Sequence, residues 1–172
     1  MKVLLGISGG IAAYKSPEVV RSLKKRGHEV RCILTSSGAK LVSEHALAAV
    51  SNQAVWTSMW PADGHMPHIE LARWCETLLV APTTADCLAK FALGLADDLL
   101  TTLFLALEPD RAVVLAPAMN PVMWQKPVVQ AHARTLQERG ARLALPVEGL
   151  LACGESGIGA MLDPDALAAA IG

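Results

Sequence analysis

The feature that most restricts this chain is a repeated unit in which a short apolar run meets a turn of small residues and helical spacing follows. Residues 2–8 are apolar enough for a buried strand, and Gly9-Gly10 ends it. Val19, Val20 and Leu23 then share one helical face, Pro17 sits in an early turn or kinks the helix, and Gly27 stops it. A second strand over 29–34 runs into Thr35-Ser36-Ser37-Gly38. Two strands joined through a helix make a βαβ unit, so they lie parallel. Parallel sheets are covered by helices on both faces. At 172 residues the chain is long enough for one domain with a sizeable core. The prediction is a single α/β domain over 1–172: a doubly wound parallel sheet with helices on both faces, Rossmann-like or flavodoxin-like.

The alternation continues. The spacing predicts a helix over 40–50, a short strand over 54–57, a loop rich in Gly, Pro and His over 61–67, and one or two helical turns over 68–74. A strand over 77–81 leads to helices that extend to 107, then a strand over 112–115 and a helix over 128–139 with Gly140 behind it. Residues 142–145 read as the last strand, before a glycine-rich tail and a short terminal helix. Four strand ends are followed by loops of small, hydroxyl-bearing or proline residues: 8–10, 35–38, 82–86 and 116–120. In open parallel sheets ligands bind outside the carboxyl ends of the strands. Four such loops along one edge point to a cofactor site.

The fourth loop, Ala116-Pro117-Ala118-Met119-Asn120-Pro121-Val122-Met123-Trp124, places one amide among groups that prefer to be dry. A buried Asn must have its donors and acceptors met. A bound ligand meets that need, and so does capping of the next helix. In the first loop, Gly6-Ile7-Ser8-Gly9-Gly10 matches neither GxGxxG nor the GK[ST] of a P-loop. Its glycines still let backbone N–H groups face an anion. A dinucleotide domain wants an acidic residue after the second strand to hold the ribose. Thr35-Ser36-Ser37 offers donors there instead, which favours a mononucleotide such as FMN over NAD. The same hydroxyls are compatible with simple helix capping.

Composition narrows the class of partner. A net charge of −1 gives no electrostatic case for nucleic acid or an anionic membrane surface. Apolar residues make up 52% of the chain against 18% charged, a surplus that fits burial between subunits. No apolar stretch is long enough to span a bilayer. The start, Met1-Lys2-Val3-Leu4-Leu5, has the look of a signal peptide, but Ser8-Gly9-Gly10 breaks the run, so secretion is not expected. Cys32, Cys75, Cys87 and Cys153 show no CxxC spacing, which indicates no zinc site or disulfide scaffold and suits a reducing cytoplasm. Cys32, Cys75 and Cys87 read as packing residues, and His28, His45 and His132 as solvent-facing. Asp97-Asp98 fits a helix start.

Taken together, these residues resemble the flavin-dependent cysteine decarboxylases, and among them the phosphopantothenoylcysteine decarboxylases. The resemblance runs over nearly the whole chain. It is carried by Ser8-Gly9-Gly10-Ile11-Ala12-Ala13-Tyr14-Lys15, by His68-Ile69-Glu70-Leu71-Ala72-Arg73-Trp74, and by Pro82-Thr83-Thr84-Ala85-Asp86 with Lys90. Pro117-Ala118-Met119-Asn120-Pro121-Val122-Met123-Trp124 is similar to the family's PxMNxxMW, and Ala152-Cys153-Gly154-Glu155 with Gly157, Gly159 and Met161 to its substrate clamp. Asp86 stands where the family usually has Asn, Glu155 replaces the clamp Asp, and Ala160 occupies a position that is Arg in many fused members.

The resemblance implies FMN as cofactor and decarboxylation of the cysteine moiety of 4′-phosphopantothenoylcysteine to 4′-phosphopantetheine in coenzyme A biosynthesis, through thioaldehyde and enethiol intermediates. It implies that Asn120 orients the carboxylate, that His68 is the base or polariser for the thiol, and that Cys153 donates the final proton. Flavin contacts are expected from Ser8, Gly9, Gly10 and Ile11, from Thr35, Ser36 and Ser37, and from Thr84, Ala85, Asp86, Cys87 and Ala118. Substrate contacts are expected from Asn120 and Met123, from Leu151, Ala152 and Gly154, and from Lys90. Glycines at 154, 157 and 159 suggest a flap that excludes water. The implied assembly is a trimer or a multiple of trimers, cytoplasmic, with no metal, nucleic-acid or membrane partner. The sequence contains no second, ligase-type domain, so the expectation is the decarboxylase alone. Two alternatives stay open: a peptide with a C-terminal cysteine as substrate, or a non-catalytic flavin-binding regulatory protein or electron carrier.

Overall fold

Side chains along the first strand, β1 (Lys2–Ile7), point alternately into two different cores: Val3, Leu5 and Ile7 into one, Leu4 into the other. That period of two, apolar on both faces, is the mark of a strand covered on both sides. The structure, a computed structural model, describes residues 1–62, 64–150, 154 and 156–171. After β1 come a 3₁₀ turn (Ile11–Lys15), α1 (Ser16–Lys25), β2 (Glu29–Leu34), α2 (Glu44–Ser51), β3 (Val55–Trp56), α3 (Pro67–Trp74) and β4 (Thr77–Thr83). The chain continues through α4 (Ala85–Leu93), α5 (Leu99–Ala106), β5 (Ala112–Pro117), α6 (Pro121–Trp124), α7 (Pro127–Glu138) and β6 (Arg142–Leu143). It closes with β7 (Val147–Leu150), β8 (Ser156–Ala160) and α8 (Pro164–Ile171).

Strands β1 to β6 form one sheet in the order β3-β2-β1-β4-β5-β6, and all five pairings are parallel. This is the doubly wound order, in which the direction of winding reverses between β1 and β4. Helices α1, α2 and α8 cover one face through Val19, Val20, Leu23, Leu47 and Leu167. Helices α3, α4, α5 and α7 cover the other through Leu71, Leu88, Phe91, Leu103 and Leu136, with the rings of Phe91 and Phe104 stacked at 4.2 Å. No helix among the described residues is long and apolar enough to cross a membrane.

Three sequence expectations need correction. The helix expected over 40–50 starts only at Glu44, because Ser43 is extended (ψ 132°), and a 3₁₀ turn over Gly38–Lys40 precedes it. The strand expected over 142–145 pairs only through Leu143, since Pro146 lacks an N–H and holds the residue before it extended, drawing the chain off the edge. Nor is it the last strand: β7 and β8 make an antiparallel hairpin of their own. The run Ser156-Gly157-Ile158-Gly159-Ala160 gives little warning of this, because glycine is depleted in strands.

Candidate functional site

At the point where the sheet changes direction, the loops after β1, β4 and β5 enclose a cavity of 490 Å³. That volume lies within the range of about 300–1,000 Å³ usual for small-molecule sites. After β1, Gly9 to Ala12 with Tyr14 and Lys15 form one wall; Thr84 and Ala85 form a second; Ala118 to Asn120 with Met123 form a third. A fourth wall, Gly159 to Met161, comes from the hairpin.

Hydrogen bonds and close backbone approaches hold the loops together. The Ser8 hydroxyl is buried; it donates to the Pro82 carbonyl at 2.7 Å and accepts the Thr84 N–H at 3.2 Å, tying the end of β1 to the end of β4. The Thr35 hydroxyl donates to the Ile7 carbonyl at 3.2 Å and accepts the Gly38 N–H at 3.1 Å, tying β1 to β2. Gly9 lies against Ser37 so closely that a Cβ there would overlap the Ser37 side chain. Thr84 caps α4 by accepting the Cys87 N–H at 3.2 Å, which leaves the earlier N–H groups of that helix at the second wall.

On the third wall, Asn120 caps α6: its Oδ1 accepts the Val122 N–H at 2.8 Å. The bond fixes which way the amide is turned, with oxygen toward the helix and NH₂ at its other end. The cap expected of Asn120 is present, and the same residue lines the cavity. The hairpin docks on this same hinge. Met119 N–H donates to the Gly159 carbonyl at 3.0 Å, and a Cβ on Gly157 would stand 2.8 Å from Pro121 Cγ.

Of the expected site residues, Gly9, Gly10, Ile11, Thr84, Ala85, Ala118, Asn120 and Met123 lie on the cavity wall. Ser8 and Thr35 stand behind it, their hydroxyls committed to the chain itself. Ser36 and Ser37 are exposed and off the wall, although Ser37 supports Gly9. Asp86 turns outward to Lys90 at 3.3 Å, and Lys90 also bonds Asp97 at 2.9 Å, so neither reaches the wall. The hydrogen bond to Asp97, with help from Asp86, holds the Lys90 ammonium above its ordinary pKa. Cys87 lies on the buried face of α4, and burial pushes its thiol well above the ordinary range; Cys32 is pushed up to about 12 in the same way. His68 sits half-buried at the start of α3, off the wall of its own chain, and its Nδ1 has no hydrogen-bond partner among the described residues.

Gly154 is exposed at φ +82° and off the wall. Leu151, Ala152, Cys153 and Glu155 lie outside the described residues. Asp98, as expected of a helix start, caps α5 by accepting the Thr101 N–H at 2.8 Å. His28 is a correction: it is buried rather than solvent-facing, in the turn between α1 and β2, where its backbone N–H donates to the Leu23 carbonyl at 3.2 Å. The wall also contains residues for which sequence reasoning assigned no contact: Ala12, Tyr14, Lys15, Met119 and the stretch Gly159 to Met161. The helical turn after Gly10 was the available signal for Tyr14 and Lys15.

Comparison with known proteins agrees with this geometry. The Flavoprotein family matches residues 1–172. The coenzyme A biosynthesis bifunctional protein CoaBC of Vibrio vulnificus (strain YJ016) is 44% identical over 170 residues, which cover 98% of this chain and 42% of that protein. The chain thus spans less than half the length of that relative. A PPC decarboxylase mutant complexed with pantothenoylaminoethenethiol superposes with a TM-score of 0.89 at 34% identity, covering 99% of this chain and 95% of the other. The FMN-dependent cysteine decarboxylase SpaF superposes with a TM-score of 0.83 at 32% identity, covering 100% of this chain and 98% of the other.

Proposed function

This chain belongs to the Flavoprotein family, and from that premise we propose that it uses FMN to remove the cysteine carboxyl group of 4′-phosphopantothenoylcysteine, forming 4′-phosphopantetheine for coenzyme A synthesis. The observation that carries the reading is Asn120, a capped and oriented amide on the wall of an otherwise largely apolar cavity. Support comes also from the names of the relatives: a coenzyme A biosynthesis protein, a PPC decarboxylase and an FMN-dependent cysteine decarboxylase.

The residues present fit a flavin. Ile11, Ala85, Ala118, Met119 and Met123 offer apolar surface for a planar ring. Gly9 and the start of α4 bring backbone N–H groups to the same cavity, suited to a phosphate or to ring heteroatoms, while the Gly10 N–H is held by the Ser8 carbonyl at 2.9 Å. When bound, flavin would supply a reversible hydride acceptor that raises the substrate's carbon–sulfur bond to the C=S level, and that C=S group would take the electron pair left by the departing carboxylate.

The chain's own groups do the rest. Asn120 donates from its NH₂ to the substrate carboxylate, and a neutral amide orients that anion without holding it as firmly as a cation would. His68 takes the thiol proton, the task of an imidazole whose reference pKa lies near ~6.5. It is absent from the wall built by its own chain, so the reading includes a homo-oligomer, of three copies or a multiple, in which a neighbouring copy presents it. Ile11, Tyr14, Val122 and Met123 are exposed on or beside the cavity, the kind of apolar surface a second copy covers. Cys153 returns the final proton, and the Gly159 wall excludes water.

The test is direct. Purified protein, with FMN added where needed, is yellow and converts phosphopantothenoylcysteine to CO₂ and 4′-phosphopantetheine. A protein that folds and refuses FMN overturns the reading. One that binds FMN and decarboxylates only a peptide ending in cysteine moves the substrate to that class, and one that binds FMN and turns over neither is a non-catalytic flavoprotein.

A further inference from the structure

Helix α3 carries His68, and the contacts that hold the start of this helix lie away from the cavity. The helix opens with little local support. Met66 stands at its N-cap with no side-chain hydrogen bond, and Pro67 at the first position has no N–H. His68 Nδ1 makes no hydrogen bond among the described residues, so the ring is aimed by the backbone that carries it. Such a segment keeps one position only through contacts from elsewhere in the fold.

Glu70, in the first turn, makes those contacts. Its Oε1 accepts from Arg31 Nη1 at 3.3 Å, and its Oε2 faces His65 Nε2 at 3.7 Å. Arg31 belongs to β2, and His65 to the loop before the helix. One carboxylate thus spans residues 65–70, with His68 inside the span. Each partner is braced in turn by an aromatic ring. The Arg31 guanidinium lies 4.4 Å from the centre of the Trp74 ring, on the last residue of α3. The His65 ring meets Trp56 of β3 edge-on, with centroids 5.4 Å apart. A planar guanidinium stacks on a ring while its N–H groups reach a carboxylate, so Arg31 ties the first turn and the last residue of α3 to the sheet.

The helix dipole alone accounts for an acidic residue in the first turn, but not for partners on a strand and in a loop. Glu70 is 48% exposed, and ion pairs at that exposure contribute little to stability. Geometry is more sensitive, because a displacement of about 1 Å at a reacting group costs as much as roughly 100-fold in rate.

We propose that Glu70 is a positioning residue for His68: by bridging Arg31 and His65 it fixes the segment that presents the imidazole to a neighbouring copy's cavity. The effect on turnover rests on the decarboxylase reading; the clamp itself does not.

Glu70→Ala and Glu70→Gln test it, the second filling the same volume should the first fail to fold. With phosphopantothenoylcysteine, kcat should fall roughly 10- to 100-fold for Glu70→Ala and by a smaller factor for Glu70→Gln. KM, FMN affinity and the unfolding midpoint should stay close to wild type. Mixed oligomers separate this role from general damage. Glu70→Ala reassembled with Asn120→Ala should recover activity, because the second chain presents a well-held His68 to the first chain's Asn120. Reassembled with His68→Ala it should not, because no site then receives a well-held His68. Recovery in that second mixture places the effect of Glu70 in its own chain's cavity and overturns the proposal, as does an unchanged kcat in a folded variant. Hydrogen exchange over residues 65–74 requires no turnover. Faster exchange there in Glu70→Ala, with the other helices unchanged, supports the clamp, and unchanged exchange overturns it. A wild type that refuses FMN or turns over no substrate instead defeats the decarboxylase reading, and the exchange measurement still decides whether Glu70 holds the segment.

Discussion

Met119 and Gly159 occupy each other's space: the Met119 N–H donates to the Gly159 carbonyl at 3.0 Å, and the Met119 carbonyl oxygen fills the position a Cβ on residue 159 would need. The contact joins the hinge after β5 to the hairpin that forms the fourth wall. Gly159→Ala must push backbone against backbone, since no side chain there can yield. Overpacking of this kind costs about 1–3 kcal/mol. We expect a lowered unfolding midpoint in thermal denaturation and weaker flavin retention in gel filtration.

Ser8→Ala removes the bridge between β1 and β4. The Pro82 carbonyl and the Thr84 N–H both lose their partner in a buried setting. Leaving such groups unpaired costs about 1–3 kcal/mol. Urea denaturation should show that loss, and FMN titration a weaker Kd, although the Ser8 side chain is not on the cavity wall.

Asn120→Asp separates the two duties of that residue. An aspartate still accepts the Val122 N–H, so α6 keeps its cap. The NH₂ donor is gone and a carboxylate faces the substrate carboxylate. Turnover should fall by roughly 100-fold or more, as for loss of a preorganised donor, while the yellow colour persists.

Mixing tests the role given to His68. His68→Ala and Asn120→Ala variants, each inactive alone, should recover part of the activity when dissociated and reassembled together, because mixed oligomers contain some sites with both native residues. Recovery no greater than for either variant alone would place both groups in one chain's site.

His28 predicts a pH dependence of stability. Neither ring nitrogen has a hydrogen-bond partner among the described residues, and the side chain is buried. Burial first, then the N-terminal ammonium and Arg26, lower its pKa from the ordinary 6.5. The unfolded chain therefore takes up the proton before the folded one does, so the native state loses stability as pH falls below about 6.5 toward the lowered folded value. Chemical denaturation at pH 5 and pH 7.5 should show the loss in wild type and a smaller one in His28→Leu.

Local pattern made the scaffold readable. The strand over Glu29–Leu34 and the core of β1 follow from apolar runs ended by small residues, and α1 from the spacing of Val19, Val20 and Leu23. The loops after β1, β4 and β5 were readable as a ligand edge for the same reason, because a parallel sheet puts those ends on one side. All of this is set by neighbours a few residues apart in the chain. What the side chains do at that edge is not. Lys90 and Asp86 face away because Asp97, seven residues beyond Lys90, draws the ammonium outward, and Lys15 lines the cavity with no ion pair among the described residues. The fourth wall has the weakest local signal of all. A strand of alternating glycines has little propensity to form, and β8 exists because Gly157 and Gly159 let it press against Pro121 and Met119. Periodicity along the chain thus determined the layers and the edge where ligands bind, while contacts between distant segments, which depend on volume and charge in three dimensions, decided which side chains that edge presents.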